Sequence, residues 1–286
     1  MQCRVSRIEH RDIYEGFLVD VATLDPRITE PFKDFGWDAL LAPKGPIHKE
    51  LIKQFYASFT FTPFSPDLQV HFQLNKTKYS FSTKEFGALL GLPSNGDKYY
   101  HVGPKLAHLP KSINLSKAWE CLVSTICGDF NPKFSKPTLS TMDLKIPFLM
   151  QYMIIRGNLF ANANYDDTIQ AAEFAFLWHL QTRVPCDLTS FVIHRMKGAF
   201  DNENRELPYG LLLNSLFYGL KIPILGPSYA PTYRPIDHLT VEYEFDKAMK
   251  RYDNTRTARL LGYESDAESS TKDSCGCVVC SGKTFA

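Results

Sequence analysis

The stretch that most constrains this chain runs Phe81-Ser82-Thr83-Lys84-Glu85-Phe86-Gly87-Ala88-Leu89-Leu90-Gly91-Leu92-Pro93. Ser82 is placed to cap a helix, and Glu85 stands three residues later. That is a capping box, in which two side chains satisfy backbone N–H groups that a helix start leaves unpaired. Phe81 and Phe86 occupy the flanking staple positions, and Leu89 and Leu90 continue the apolar face. Gly91 suits the left-handed residue that ends a helix, and Pro93 blocks continuation. The prediction is a short buried helix with both ends specified. Nothing in it carries chemistry.

The neighbouring patterns fit around that helix. Val70, Phe72 and Leu74 alternate with polar residues, Asn75-Lys76 reads as a turn, and Tyr79 and Phe81 alternate beyond it. This predicts a β-hairpin, with a third strand between Ser58 and Thr62. Upstream, Gly36 to Leu41 reads as a short turn of helix anchoring Trp37. Gly45-Pro46 reads as the opening of a helix carrying Ile47, Leu51, Ile52, Phe55 and Tyr56 on one face. Asp12 to Leu24 fits a helix through Ile13, Phe17, Val21 and Leu24.

Downstream, helices are expected from Ser116, from Thr141 or Asp143, from Asp166 or Asp167, from Asp187 and from Leu207-Pro208, with a further one near Tyr243 to Tyr252. The short connections imply helices packed on their sequence neighbours. The fold class is mainly α: a compact multi-helix domain with a small β-hairpin and a disordered C-terminal tail. The core candidates are Trp37, Phe55, Phe72, Phe86, Leu89, Trp119, Phe148, Phe176, Phe191 and Leu212.

A 286-residue chain that is 44% hydrophobic can bury a large core. The sequence divides into an N-terminal segment (1–33), the helical domain (34–222), a Pro-rich and then helical extension (223–263) and a polar, Cys-containing tail (264–286). No run approaches the roughly 18 apolar residues of a membrane span, and the first residues lack the apolar core of a secretory signal. A soluble intracellular protein of nucleus or cytoplasm is expected, with no membrane partner. The net charge of +1 is unlike that of a dedicated non-specific nucleic-acid binder.

Three groups of residues invite a chemical reading. Cys275, Cys277 and Cys280 have metal-like spacing, yet zinc takes four ligands and this segment offers three. They read either as tail thiols or as a site completed by His238, a distant Cys or a second chain. Lys76, Lys78 and Lys84, with Lys44, Lys49 and Lys53 nearby, surround the hairpin. With Tyr56, Tyr79, Tyr99 and Tyr100 they offer phosphate contacts and stacking platforms for nucleic acid; the alternative is a solvated face. A metal-dependent nuclease needs about three carboxylates on two metals. Asp143, Asp166, Asp167, Glu173, Asp187 and Asp201 are available, but several stand at helix starts, where a carboxylate caps N–H groups. His179 and His194 read as buried helix histidines with backbone partners. No phosphate-binding glycine loop or nucleophile motif is present, so no cofactor is expected and the chain does not read as an enzyme.

The order of these pieces resembles the plant transposon protein domain, found in reading frames of plant transposable elements and retrotransposons. The matching pieces are Gly36-Trp37-Asp38-Ala39-Leu40-Leu41, then Glu50 to Ala57, then the strand leading into Leu89-Leu90-Gly91-Leu92-Pro93. Arg156-Gly157-Asn158-Leu159 and Leu207-Pro208-Tyr209-Gly210-Leu211-Leu212 follow. The chain is similar, more distantly, to the plant mobile domain. The resemblance covers roughly Phe35 to Ile222. It implies a plant source and a mainly helical fold, and it supplies no catalytic residues. Together with the missing catalytic constellation it leads to the expectation of a non-enzymatic interaction or assembly module with protein partners. Nucleic-acid binding through the hairpin is the alternative, and a nuclease or transposase the third.

Overall fold

The structure, a computed structural model, describes residues 8–41, 45–62, 69–99, 109, 111, 113–123, 139–161, 168–224 and 226–249. Among them the chain is mainly helical, with a small antiparallel sheet. Helix α1 (Pro26–Asp34) starts at Asp25, whose carboxylate accepts the Arg27 N–H at 2.8 Å, with Pro26 in the first turn. A short 3₁₀ turn (Asp38–Leu40) follows Trp37, which is fully buried. Helix α2 (Lys49–Ser58) buries Leu51, Ile52, Phe55 and Tyr56. It starts at Lys49 rather than at Pro46 because Ile47 exchanges backbone hydrogen bonds of 2.7 and 3.0 Å with Tyr229.

Strands β1 (Thr60–Phe61), β2 (Gln69–Leu74) and β3 (Thr77–Ser82) form an antiparallel sheet in that order. Asn75 and Lys76 both take positive φ (46° and 69°), the two-residue turn whose twist matches that of the strands. Register pairs Val70 with Phe81, Phe72 with Tyr79 and Leu74 with Thr77 on the inner face. The sheet delivers the chain into helix α3 (Thr83–Leu90) through the expected capping box. The Ser82 N–H donates to Glu85 Oε2 at 2.8 Å, and the Glu85 N–H donates to Ser82 Oγ at 3.3 Å. Phe81 and Phe86 both meet Phe72, at ring distances of 5.9 and 6.3 Å. Gly91 is left-handed (φ 72°), and the Leu92 N–H closes on Gly87 O at 2.8 Å.

Helix α4 (Leu115–Leu122) is capped by Asn114, not begun at Ser116. Strands β4 (Leu139–Ser140) and β5 (Thr168–Ile169) pair antiparallel. Between them helix α5 (Ile146–Ile154) passes into a π-turn at Ile155–Leu159. Helix α6 (Ala171–Thr182) is capped by Gln170 and Glu173. Asp166 and Asp167, the expected caps, lie outside the described residues. Helix α7 (Leu188–Asp201) is capped by Asp187 as expected, its carboxylate accepting the Ser190 N–H at 2.8 Å. Helix α8 (Gly210–Gly219) starts past Leu207-Pro208, since Leu207 pairs with Ile13. Helix α9 (His238–Met249) starts earlier than Tyr243.

The core centres on α5 and α6, which are buried almost all round, all nine residues of α5 among them. Of the expected core residues all are buried except Leu89, which is partly exposed beside Gly219. The segment from Asp12 to Leu24 is not helical. It runs extended as far as Asp20, Ile13 pairing with Leu207 and Val19 with Ile236 and Gly16 taking φ 92°, and then turns, the Thr23 N–H donating to Asp20 O at 3.1 Å. Its apolar spacing fits a helix, but backbone partners from distant parts of the chain outcompete local hydrogen bonds.

Candidate functional site

The hairpin places the three sequence-predicted lysines on the surface. Lys76 sits at the turn, Lys78 lies opposite Gln73 on the outer sheet face, and Lys84 is in the first turn of α3; all three are exposed. None forms an ion pair with a described residue. Burial takes Tyr56 and Tyr99 out of the aromatic half of that expectation. Tyr56 is fully buried, its hydroxyl donating to Pro208 O at 2.8 Å. Tyr99 is 1% exposed, and Tyr79 stacks on Phe72 at 5.3 Å on the inner face. Tyr100, Lys44 and the three tail cysteines, Cys275, Cys277 and Cys280, lie outside the described residues.

The acidic candidates are occupied in structure. Asp143 Oδ2 accepts the Ser140 N–H at 2.9 Å, Asp187 caps α7, and Asp201 pairs with Lys197. Glu173 caps α6 through the Gln170 N–H (2.8 Å) and also accepts the Tyr152 hydroxyl (3.1 Å), with Arg156 at 4.0 Å. Burial raises the Glu173 carboxyl despite these partners. Among the described residues no group of three or more His, Cys, Asp or Glu is placed to hold a metal ion.

His179 is 1% exposed, Nδ1 bonding Val184 O at 2.8 Å and Nε2 meeting the Tyr99 hydroxyl. Burial holds its imidazole below the ordinary value. His194 Nδ1 bonds Ser190 O at 2.7 Å. Cys186 is buried, and burial together with the Asp187 and Asp97 carboxylates pushes its thiol up. A thiol held protonated in this way is a poor nucleophile.

The feature with room for a partner lies elsewhere. A groove of about 530 Å³ opens between α5 and α9. Leu149, Tyr152 and Met153 of α5 line one wall, and Leu239 and Tyr243 of α9 line the other. Phe17, Tyr233 and Ile236 complete it, the rings of Phe17 and Tyr233 meeting at 5.3 Å. Ile236 is fixed to the Leu18–Asp20 backbone by bonds of 2.8 and 2.9 Å. Helix α9 starts from Asp237, which accepts the Thr240 N–H at 3.0 Å. Leu239 and Tyr243 stand one helical turn apart and are 43% and 66% exposed. Arg234 and Glu244 also line the groove.

The sequence reading missed this groove because its walls come from residues 17, 141–153 and 233–244, which the pattern does not bring together. The available signal was the apolar pair Leu239 and Tyr243, one helical turn apart. No helix among the described residues is long and apolar enough to cross a membrane. Compared with known proteins, the chain matches no family model, no curated protein and no solved structure.

Proposed function

We propose that the chain is a non-enzymatic interaction and assembly module, and that it receives an amphipathic helix of a partner protein in the groove between α5 and α9. The observation that carries this reading is the exposed Leu239–Tyr243 pair beside an apolar trough of about 530 Å³. That volume lies in the range of clefts that bind ligands. Two flanking helices with a solvent-facing apolar ridge suit a third helix whose anchors repeat at helical spacing. The order of sequence motifs supports placing the module among proteins of plant transposable elements.

Peptide display on the folded chain tests the reading. Sequences with apolar residues at helical spacing should be enriched on the wild-type protein and lost on Met153→Arg, which places a charge in the trough. No enrichment, or enrichment indifferent to Met153→Arg, would sink it.

A second reading, nucleic-acid binding through the hairpin, is supported by the exposure of Lys76, Lys78 and Lys84. It requires binding that weakens when all three become Glu.

A further inference from the structure

Where the hairpin tip meets the end of α8, exposed aromatic rings and lysines come together outside the groove. Tyr218 and Tyr229 are 41% and 42% exposed, and Ile224 is 40% exposed. Both rings are anchored from consecutive residues. Tyr229 pairs with Ile47 through the backbone, and the Tyr218 hydroxyl lies 3.3 Å from His48 Nε2, the two rings 6.1 Å apart. Tyr218 also lies over Gly45, where a Cβ would come within 2.6 Å of its hydroxyl. Lys49 Nζ stands 4.6 Å from the Tyr229 ring centre.

Two further lysines sit on the two turns that meet at Pro223. Asn75 Nδ2 donates to Pro223 O at 2.9 Å, which ties the hairpin turn to the turn that closes α8. Each of these turns holds a lysine in the left-handed region, Lys76 at φ 69° and Lys221 at φ 52°. Glycine or asparagine is the ordinary occupant there. Glu50 is the one acidic residue among the described residues 45–50, 75–76, 218–224 and 226–229.

We propose that this face binds single-stranded nucleic acid, with Tyr218 and Tyr229 stacking on bases and Lys49, Lys76 and Lys221 meeting phosphates. Stacking on exposed rings set among lysines is the usual arrangement for sequence-tolerant single-strand binding. The inference goes beyond the groove reading and shares no residue with it. It also differs from the hairpin reading, because Lys78 and Lys84 play no part.

The test is fluorescence anisotropy of the full chain with short labelled oligo-dT, oligo-U and a blunt DNA duplex across salt. The single strands should bind more tightly than the duplex. Three phosphate contacts give a log–log salt slope of about −2. Tyr218→Ala and Tyr229→Ala should each weaken binding roughly tenfold. Lys76→Gly and Lys221→Gly should lower the slope by about 0.7 each while leaving the melting temperature unchanged or raised, so that lost binding is not lost folding. Ultraviolet crosslinking of a bromouracil strand should map to Tyr218 or Tyr229. The proposal falls if neither strand binds at low salt, or if the duplex binds equally well. It also falls if the tyrosine variants bind like wild type, or if oligoglutamate displaces the strand as well as unlabelled oligonucleotide does. Loss in Lys78→Glu and Lys84→Glu alone would move the site to the hairpin and overturn it as well.

Discussion

Asn158 pairs with Phe17 as a neighbouring strand would. Its Oδ1 accepts the Phe17 N–H at 2.6 Å, and its Nδ2 donates to Phe17 O at 3.0 Å and to Leu40 O at 2.7 Å. The side chain projects from the π-turn that ends α5. The adjacent Gly157 lets the Phe17 ring approach, since a Cβ there would lie 2.1 Å from it. One short motif therefore fixes both the N-terminal strap and the turn after Trp37. Asn158→Ala removes these partners from buried backbone groups. It should cost about 2–4 kcal/mol, since each orphaned group costs on the order of 1–3 kcal/mol. Urea denaturation measures the loss, and a change under about 1 kcal/mol would contradict the role.

Gly87 makes the contact between α3 and α7. A Cβ there would stand 2.3 Å from Thr189 Oγ1 and 2.9 Å from Leu92 O, while Thr189 Oγ1 donates to Pro93 O at 2.9 Å. Gly87→Ala should therefore destabilise by about 1–3 kcal/mol through overpacking. Adding Thr189→Ala relieves part of the clash, so the double variant should lose less than the sum of the two single changes. Strict additivity would show that the two helices do not meet there.

His179 and Glu173 make stability depend on pH in opposite senses. Burial holds His179 below its ordinary value, so its contribution is intact above about pH 6.5 and is lost as pH falls and the unfolded chain takes the proton. Burial raises Glu173, so the folded state keeps a proton that the unfolded state gives up. Its contribution is present at low pH and is lost as pH rises through the folded value. His179→Gln should lower stability at neutral pH by about 1–2 kcal/mol and flatten the decline between neutral pH and about pH 5. An unchanged pH profile in that variant would remove His179 as the cause.

Lys76 and Lys221 hold left-handed backbone without being glycine. Such a conformation costs an ordinary L-residue about 1–2 kcal/mol, partly offset by the greater freedom of glycine in the unfolded chain. Each Lys→Gly change should raise stability by about 0.5–1 kcal/mol, read from the urea midpoint. A loss of stability in either would mean that its side chain makes a structural contact that outweighs the strain.

What could be read in advance divides by the range of the interaction that decides it. The capping box at Ser82 and Glu85, the inward faces of Val70, Phe72 and Leu74 and the cap at Asp187 depend on neighbours in sequence, and they appear as expected. Residues 12–24 were misread because Leu207, Ile236 and Asn158, all distant in sequence, supply their hydrogen bonds. The start of α2 shifted because Tyr229 claims Ile47. At the candidate sites, lysine exposure was legible, but tyrosine burial was not. Tyr56 looks like any aromatic on an amphipathic helix until Pro208 O is placed beside it. The groove depends on where residues 233–244 return to the body, which no local pattern encodes.

Whether a partner helix enters that groove is read most directly from the methionine methyl groups. The chain has 6 methionines, so a protein labelled at the methionine methyl carbon gives a few resolvable signals, and Met153→Leu identifies the one in the trough. Met153 lines the groove, while Met196 is buried in α7 away from it. On titration with a peptide selected by display, the Met153 signal should shift and saturate while that of Met196 holds still. A peptide that binds while Met153 remains unmoved would contradict the account.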